Sequence, residues 1–245
     1  MPLAAGLFYA ARGAGPPLVC LHGAGGSHTH WGHALAGLAD VARVVAPDLP
    51  GHGRSAPAGG ATVAGYGAAV LALLDALGLE RAALAGHSMG AAAAVEAALA
   101  APGRVAGLAL VGAGARLRVA PDLLAGLAEA PEAAIERLVA AMYPEPSAHM
   151  RAAAAAEYRR DPARLRADLL ACDGWDARAR LPALRCPAAV VCGERDALTP
   201  PRLAHELAGL LPGAALTMLP QVGHVPMLEA PAATVGALRA WVARL

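Results

Sequence analysis

The chain has 245 residues, 57% of them hydrophobic, and a formal net charge of +1. A chain of this length buries roughly 70–75% of the surface its unfolded form exposes, so it reads as one domain needing no staples, and its near-neutral balance excludes binding driven by a global positive field, to nucleic acid or to an anionic membrane. All 20 basic residues are Arg, which excludes chemistry built on a Schiff-base lysine or a phosphate-loop lysine.

In chain order, Leu7 to Ala11 and Pro17 to Leu21 read as the first strands, with the glycine turn at 13–15 between them. Arg43 to Ala46, Arg81 to Ala85, Val105 to Val111, Ala188 to Cys192 and Ala215 to Leu219 follow as further apolar runs. Runs this continuously apolar suit a parallel sheet covered on both faces. Helical segments are expected at 28–39, 62–78, 89–101, 201–211 and 231–245, so strand and helix alternate, the pattern of a doubly wound α/β sheet. The alternation stops after Gly114 and resumes at Pro187. Residues 1–116 and 184–245 therefore form the expected α/β core, and 117–183 a helical cap or lid insertion.

The most apolar window, 89–115, is broken by Glu96, Pro102 and Arg104 and does not read as a membrane span. No charged leader precedes the first apolar stretch, and Cys20, Cys172, Cys186 and Cys192 form no CxxC pair. Buried free thiols in a reducing cytoplasm are the expectation.

One stretch carries chemistry. In "ALAGHSMGAA" at 83–92, a lone Ser88 stands between Gly86 and Gly90, with a strand-like run before it and a helix-like run after. This is G-x-S-x-G in the context the motif requires: a turn so tight that only small residues fit two positions either side, with the hydroxyl raised above the sheet. The Met89 N–H, at the start of the helix, faces the place where an oxyanion forms. The pentapeptide alone is a weak signal among 28 glycines.

A serine hydroxyl needs a base, and the base needs an acid to hold it. On this scaffold they follow in the order Ser, acid, His. "VVCGERDALTPP" places Asp196 just past one strand, and "MLPQVGHVPMLEAP" places His224 just past the next. All three would meet at the carboxyl ends of parallel strands, where ligand-facing loops belong. Glu194 and His87 are rivals that rank lower: Glu194 sits nearer its strand, and His87 points the wrong way from a tight turn. The glycine-rich end of "VCLHGAGGS" leaves backbone amides approachable, with Ala24 N–H as the second oxyanion donor. It lacks the G-x-G-x-x-G of a dinucleotide loop, and no cofactor is expected.

These segments together resemble the α/β-hydrolase fold family over essentially the whole chain, through "FYAARGAGPPLVCLHGAGGS", "VVAPDLPGHGRS", "LAGHSMG", "CPAAVVCGERDALTPP" and "VGHVPMLEAP". The resemblance implies Ser88 as nucleophile, Asp196 as acid and His224 as base, with Ala24 and Met89 as oxyanion donors. Serine at the nucleophile position argues against the haloalkane dehalogenase and epoxide hydrolase branches. It also implies a structural turn for Asp48 to Ser55, and supporting roles for His22 and Glu229.

The expected activity is hydrolysis of a small carboxylic ester or lactone through an acyl-enzyme. C–C hydrolase, lyase, thioesterase and cofactor-free perhydrolase chemistry, or a slow-turnover ligand receptor, are the alternatives. A small molecule is the expected partner. "SHTHWGH" brings His28, His30 and His33 close, but no neighbouring acidic ligand completes a zinc site, and no metal is expected. His28 and Trp31 are expected to border the substrate pocket, and Met142, Tyr143 and Trp175 to line it from the insertion. With only 1 Phe, 4 Tyr and 3 Trp in the chain, that pocket is not built on aromatic stacking.

Overall fold

The continuous apolar runs become strands of one sheet buried on both faces. The computed structural model describes residues 2–56, 61–144 and 148–245, and in it eight strands pair in the order β1-β2-β4-β3-β5-β6-β7-β8. They are β1 (Leu3–Ala4), β2 (Leu7–Arg12), β3 (Pro17–Leu21), β4 (Arg43–Pro47), β5 (Ala82–His87), β6 (Val105–Val111), β7 (Ala188–Gly193) and β8 (Ala215–Leu219). Strands β3 to β8 run parallel, and β1 and β2 join antiparallel at one edge.

Neighbouring residues of a strand point to opposite faces, and here both faces are dry. In β3, Val19 and Leu21 enter one core with Val70 and Leu74, while Leu18 and Cys20 enter the other with Trp31 and Trp241. Helices α2 (Val63–Ala76) and α3 (Met89–Ala100) feed the first core, and α1 (Gly32–Gly37) and the terminal helix feed the second.

Between β6 and β7 lie α4 (Pro121–Glu129), α5 (Pro131–Met142), α6 (Ala148–Tyr158) and α7 (Pro162–Asp173). These four helices pack on one another, and α7 also touches α3. Helices α8 (Pro201–Leu210), α9 (Pro226–Glu229) and α10 (Pro231–Val242) complete the chain. Among the described residues no helix is long and apolar enough to cross a membrane. The segment expected as one helix over 28–39 is a 3₁₀ turn, His28–Trp31, followed by the six-residue α1. Gly32 and Gly37 at the two ends of α1 supply little helix propensity.

Candidate active site

Register brings the site together. Leu21 of β3 pairs with Gly86 of β5, His87 with Val111 of β6, Val111 with Val191 of β7, and Gly193 with Leu219 of β8. Loops leaving β3, β5, β7 and β8 therefore meet at one rim.

The loop after β5 is a sharp elbow. Ser88 holds φ +51° and ψ −115°, a conformation that costs a non-glycine residue energy and persists only where surroundings impose it. Its N–H donates to the Val111 carbonyl at 3.0 Å. A Cβ on Gly86 would overlap the Gly90 carbonyl, and one on Gly90 would meet the carbonyls of Leu21 and His22. Small residues flank the serine because backbone occupies the space. Ser88 stands at the N-cap of α3, yet its side chain caps nothing and its oxygen is not spent on the helix.

Behind it, the His224 ring lies against Asp196. Nδ1 of His224 donates to Asp196 Oδ2 at 2.9 Å, which leaves Nε2 as the bare nitrogen. Asp196 is 3% exposed and fully engaged: Oδ1 accepts from the Leu198 and Thr199 amides at 2.9 and 2.8 Å, and Oδ2 from the Thr199 hydroxyl at 2.7 Å. Burial pushes this carboxyl upward, but His224 and the Thr199 hydrogen bonds outweigh burial and hold it below its ordinary value. The rival Glu194 is exposed.

The glycine loop after β3 approaches the elbow closely, since a Cβ on Gly23 would lie 3.4 Å from Ser88 Cβ. In its turn, the Gly26 amide donates to the Gly23 carbonyl at 3.1 Å and the Gly25 amide to Asp168 Oδ2 at 2.9 Å. Among the described residues the Ala24 N–H meets no acceptor. Met89 is the first residue of α3, so its N–H has no intrahelical acceptor. Ser88, His224 and Ala24 line one cavity of about 240 Å³. Its other walls are largely aliphatic, with Leu117, Leu123 and Leu138 from one side and Leu165 and Leu169 of α7 from another.

A comparison with known families matches residues 18–237 to an alpha/beta hydrolase family. The chain belongs to that family. It is 33% identical to a pimeloyl-[acyl-carrier protein] methyl ester esterase from Aromatoleum aromaticum, over 88% of this chain and 94% of the relative. It is 36% identical to the dihydrolipoyllysine-residue acetyltransferase component of an acetoin cleaving system from Pseudomonas putida, over 88% of this chain, and spans 60% of that longer relative. A similar component from Cupriavidus necator is 45% identical over 42% of this chain, the match spanning 28% of the relative. Among solved structures, the enol-lactonase from Burkholderia xenovorans superposes with a TM-score of 0.89 at 25% identity, covering 97% of this chain and 96% of that one.

Of the five side chains expected around the pocket of this alpha/beta hydrolase, Met142 lines the cavity. The other four lie elsewhere. Trp31 is 0% exposed inside the second core, and Tyr143 is buried in the same cluster. Trp175 packs in the first core and donates from Nε1 to Glu96 Oε1 at 2.7 Å. His28 packs against the buried Asp48, its Nδ1 2.8 Å from Oδ1, with Phe8 beside its ring at 4.9 Å between centroids. Its neighbour His30 diverges to Glu157, with Nε2 2.8 Å from Oε2.

The supporting residues hold loops. His22 donates from Nδ1 to the Gly23 carbonyl at 2.8 Å and accepts the Leu49 amide on Nε2 at 2.9 Å. Glu229 accepts the amides of Gly223 and Val225, either side of His224, at 2.8 Å each. Asp48 accepts the His28 and Arg54 amides at 2.7 and 2.9 Å and ties the glycine turn to the loop after β3. His87 donates from Nε2 to the His224 carbonyl at 2.8 Å. Burial, then His224, pushes its pKa well below the ordinary value, so it stays neutral beside the candidate base.

The sequence reading missed the acids of the insertion. Asp168 and Glu157 both reach the glycine loop, across 143 and 130 residues of chain. No local pattern signals contacts at such separations.

Proposed function

We propose that the chain is a serine hydrolase that cleaves a small carboxylic ester or lactone through an acyl-enzyme. The observation that carries this is the shared cavity: Ser88 and His224 face it, with Asp196 hydrogen-bonded behind the imidazole at 2.9 Å. In this reading the Ser88 hydroxyl attacks the ester carbonyl while His224 Nε2 takes its proton. Asp196 holds the ring through Nδ1 and stabilises its charged form. The carbonyl oxygen becomes an oxyanion and receives the Ala24 and Met89 amides, neither of which meets an acceptor among the described residues; one such donor is worth about 10²–10³ in turnover. His224 then returns the proton to the leaving alcohol, and water, activated by the same ring, releases the acid.

The cavity supports a small, mainly aliphatic substrate, and the helices α4 to α7 act as its cap. Four free cysteines fit work in a reducing compartment. The esterase and enol-lactonase named among the similar proteins support esters and lactones as the substrate class. Labelling with a fluorophosphonate, followed by peptide mapping, should place the adduct on Ser88. Undiminished hydrolysis of 4-nitrophenyl acetate by Ser88→Ala would overturn the reading.

A further inference from the structure

We infer that Asp168, together with Glu157 of the preceding helix, is a positioning residue for the oxyanion loop, so that the inserted helices set the geometry of the reaction as well as the shape of the cavity. This rests on the reading of Ala24 as an oxyanion donor. Asp168 sits on α7 and is 0% exposed, an expensive place for a carboxylate unless every lone pair has a purpose. Its Oδ2 accepts the Gly25 amide at 2.9 Å and approaches His52 Nε2 at 2.7 Å, while Oδ1 accepts the Tyr66 hydroxyl at 2.5 Å. Three segments of the core converge on one side chain from the insertion.

The Gly25 amide is the decisive partner. It belongs to the peptide unit that follows Ala24, so fixing that plane fixes the direction of the chain carrying the Ala24 N–H. Gly25 has φ +63°, and a Cβ there would press at 3.0 Å on Leu165 of α7 and on Tyr158 of α6. The inserted helices therefore lie directly on the turn. Further along the loop, Glu157 of α6 accepts the Ser27 hydroxyl at 2.8 Å and pairs with His30 Nε2 at 2.8 Å. Two acids of the insertion thus grip the loop, at Gly25 and at Ser27. Helix α7 also supplies Leu165 and Leu169 to the cavity wall, so one rigid element seats the substrate and sets the donor.

The test compares Asp168→Ala, Asp168→Asn and Tyr66→Phe for thermal midpoint, kcat, KM and affinity for a boronic acid, which forms a tetrahedral adduct on the serine and places an oxygen where the oxyanion sits. Asp168→Ala should lower kcat about tenfold to a hundredfold, less than deletion of a donor, with KM within about threefold. Boronate affinity should fall in parallel. Asp168→Asn keeps an acceptor for Gly25 and should recover most of both. Tyr66→Phe removes a bond to the same carboxylate but not the Gly25 contact; it should lower the midpoint with little change in kcat.

Unchanged boronate affinity and kcat in a folded Asp168→Ala would overturn the inference, as would equal losses in Tyr66→Phe. Should Asp168→Ala fail to fold, Glu157→Ala, at a half-buried position, provides the same readout: a threefold to tenfold fall in kcat and boronate affinity supports the inference, and none overturns it. Failure of the hydrolase reading looks different, since wild-type protein would then bind no boronate and take no fluorophosphonate at Ser88.

Discussion

The α/β core and the inserted helices are held together by different means. In the core, position is set by backbone: parallel ladders deliver β3, β5, β7 and β8 to one rim, and the elbow is shaped by the absence of side chains at Gly86 and Gly90. The insertion relies on side chains as well, through Asp168, Glu157 and the contact of Glu96 with Trp175 and Arg180, alongside backbone ties from the His224 amide to the Met142 carbonyl and from the Ala177 amide to the Ala115 carbonyl, each at 2.9 Å. Backbone ladders leave little latitude, whereas side-chain fastenings can be exchanged one residue at a time. The inserted helices can therefore vary residue by residue over a core whose ladders stay fixed.

The sharpest way to break that division is at the nucleophile. Ser88→Ala should reduce turnover by about 10⁴-fold or more while KM and the thermal midpoint stay near wild type, measured with 4-nitrophenyl acetate and differential scanning calorimetry. Asp196→Asn comes next, with a loss of about 10²–10⁴ in kcat, because the imidazole loses its orienting acceptor. The same residue gives a pH test. Its carboxyl is depressed in the folded state, so its contribution to stability is present above the unfolded value of about 3.9 and is lost as pH falls through the lower, folded value. Chemical denaturation followed into acid should show wild-type stability falling over that window, and Asp196→Asn should lack that part of the slope.

Gly90→Ala tests the backbone side of the comparison. The added methyl meets the Leu21 and His22 carbonyls, so the variant should be destabilised by about 3 kcal/mol or fail to fold, read by urea midpoint. On the insertion side, Leu138→Ala should enlarge the cavity and shift preference toward longer acyl groups, with KM changing several-fold and kcat little, measured across 4-nitrophenyl esters from acetate to octanoate. Trp175→Phe should have the smallest effect on catalysis, none within about twofold, while costing about 1–2 kcal/mol through the lost Glu96 hydrogen bond.

What the sequence made legible follows the same division. Strand positions came through because burial on both faces leaves an unbroken apolar run, as in Val105–Val111. The two-residue β1 and the four-residue α9 are too short to carry any period. Ser88, Asp196 and His224 stand out as candidates because each follows a strand end that the topology sends to one rim. Trp31 and Trp175 were misjudged for a plain reason. Helical spacing marks a buried face, and whether that face meets a cavity or solid core depends on elements far away in the chain. Asp168 was invisible on the same ground: its partners Gly25, His52 and Tyr66 all lie in the first third of the molecule.

The elbow at residue 88 has a wider consequence. What imposes its left-handed backbone is the bare flanking glycines and the Val111 carbonyl, and the hydroxyl takes no part in keeping the turn. The position is thus a socket indifferent to its occupant. A thiol or a carboxylate installed there would inherit the same pose, which makes this corner a ready mount for redesigned reactivity on an unaltered frame.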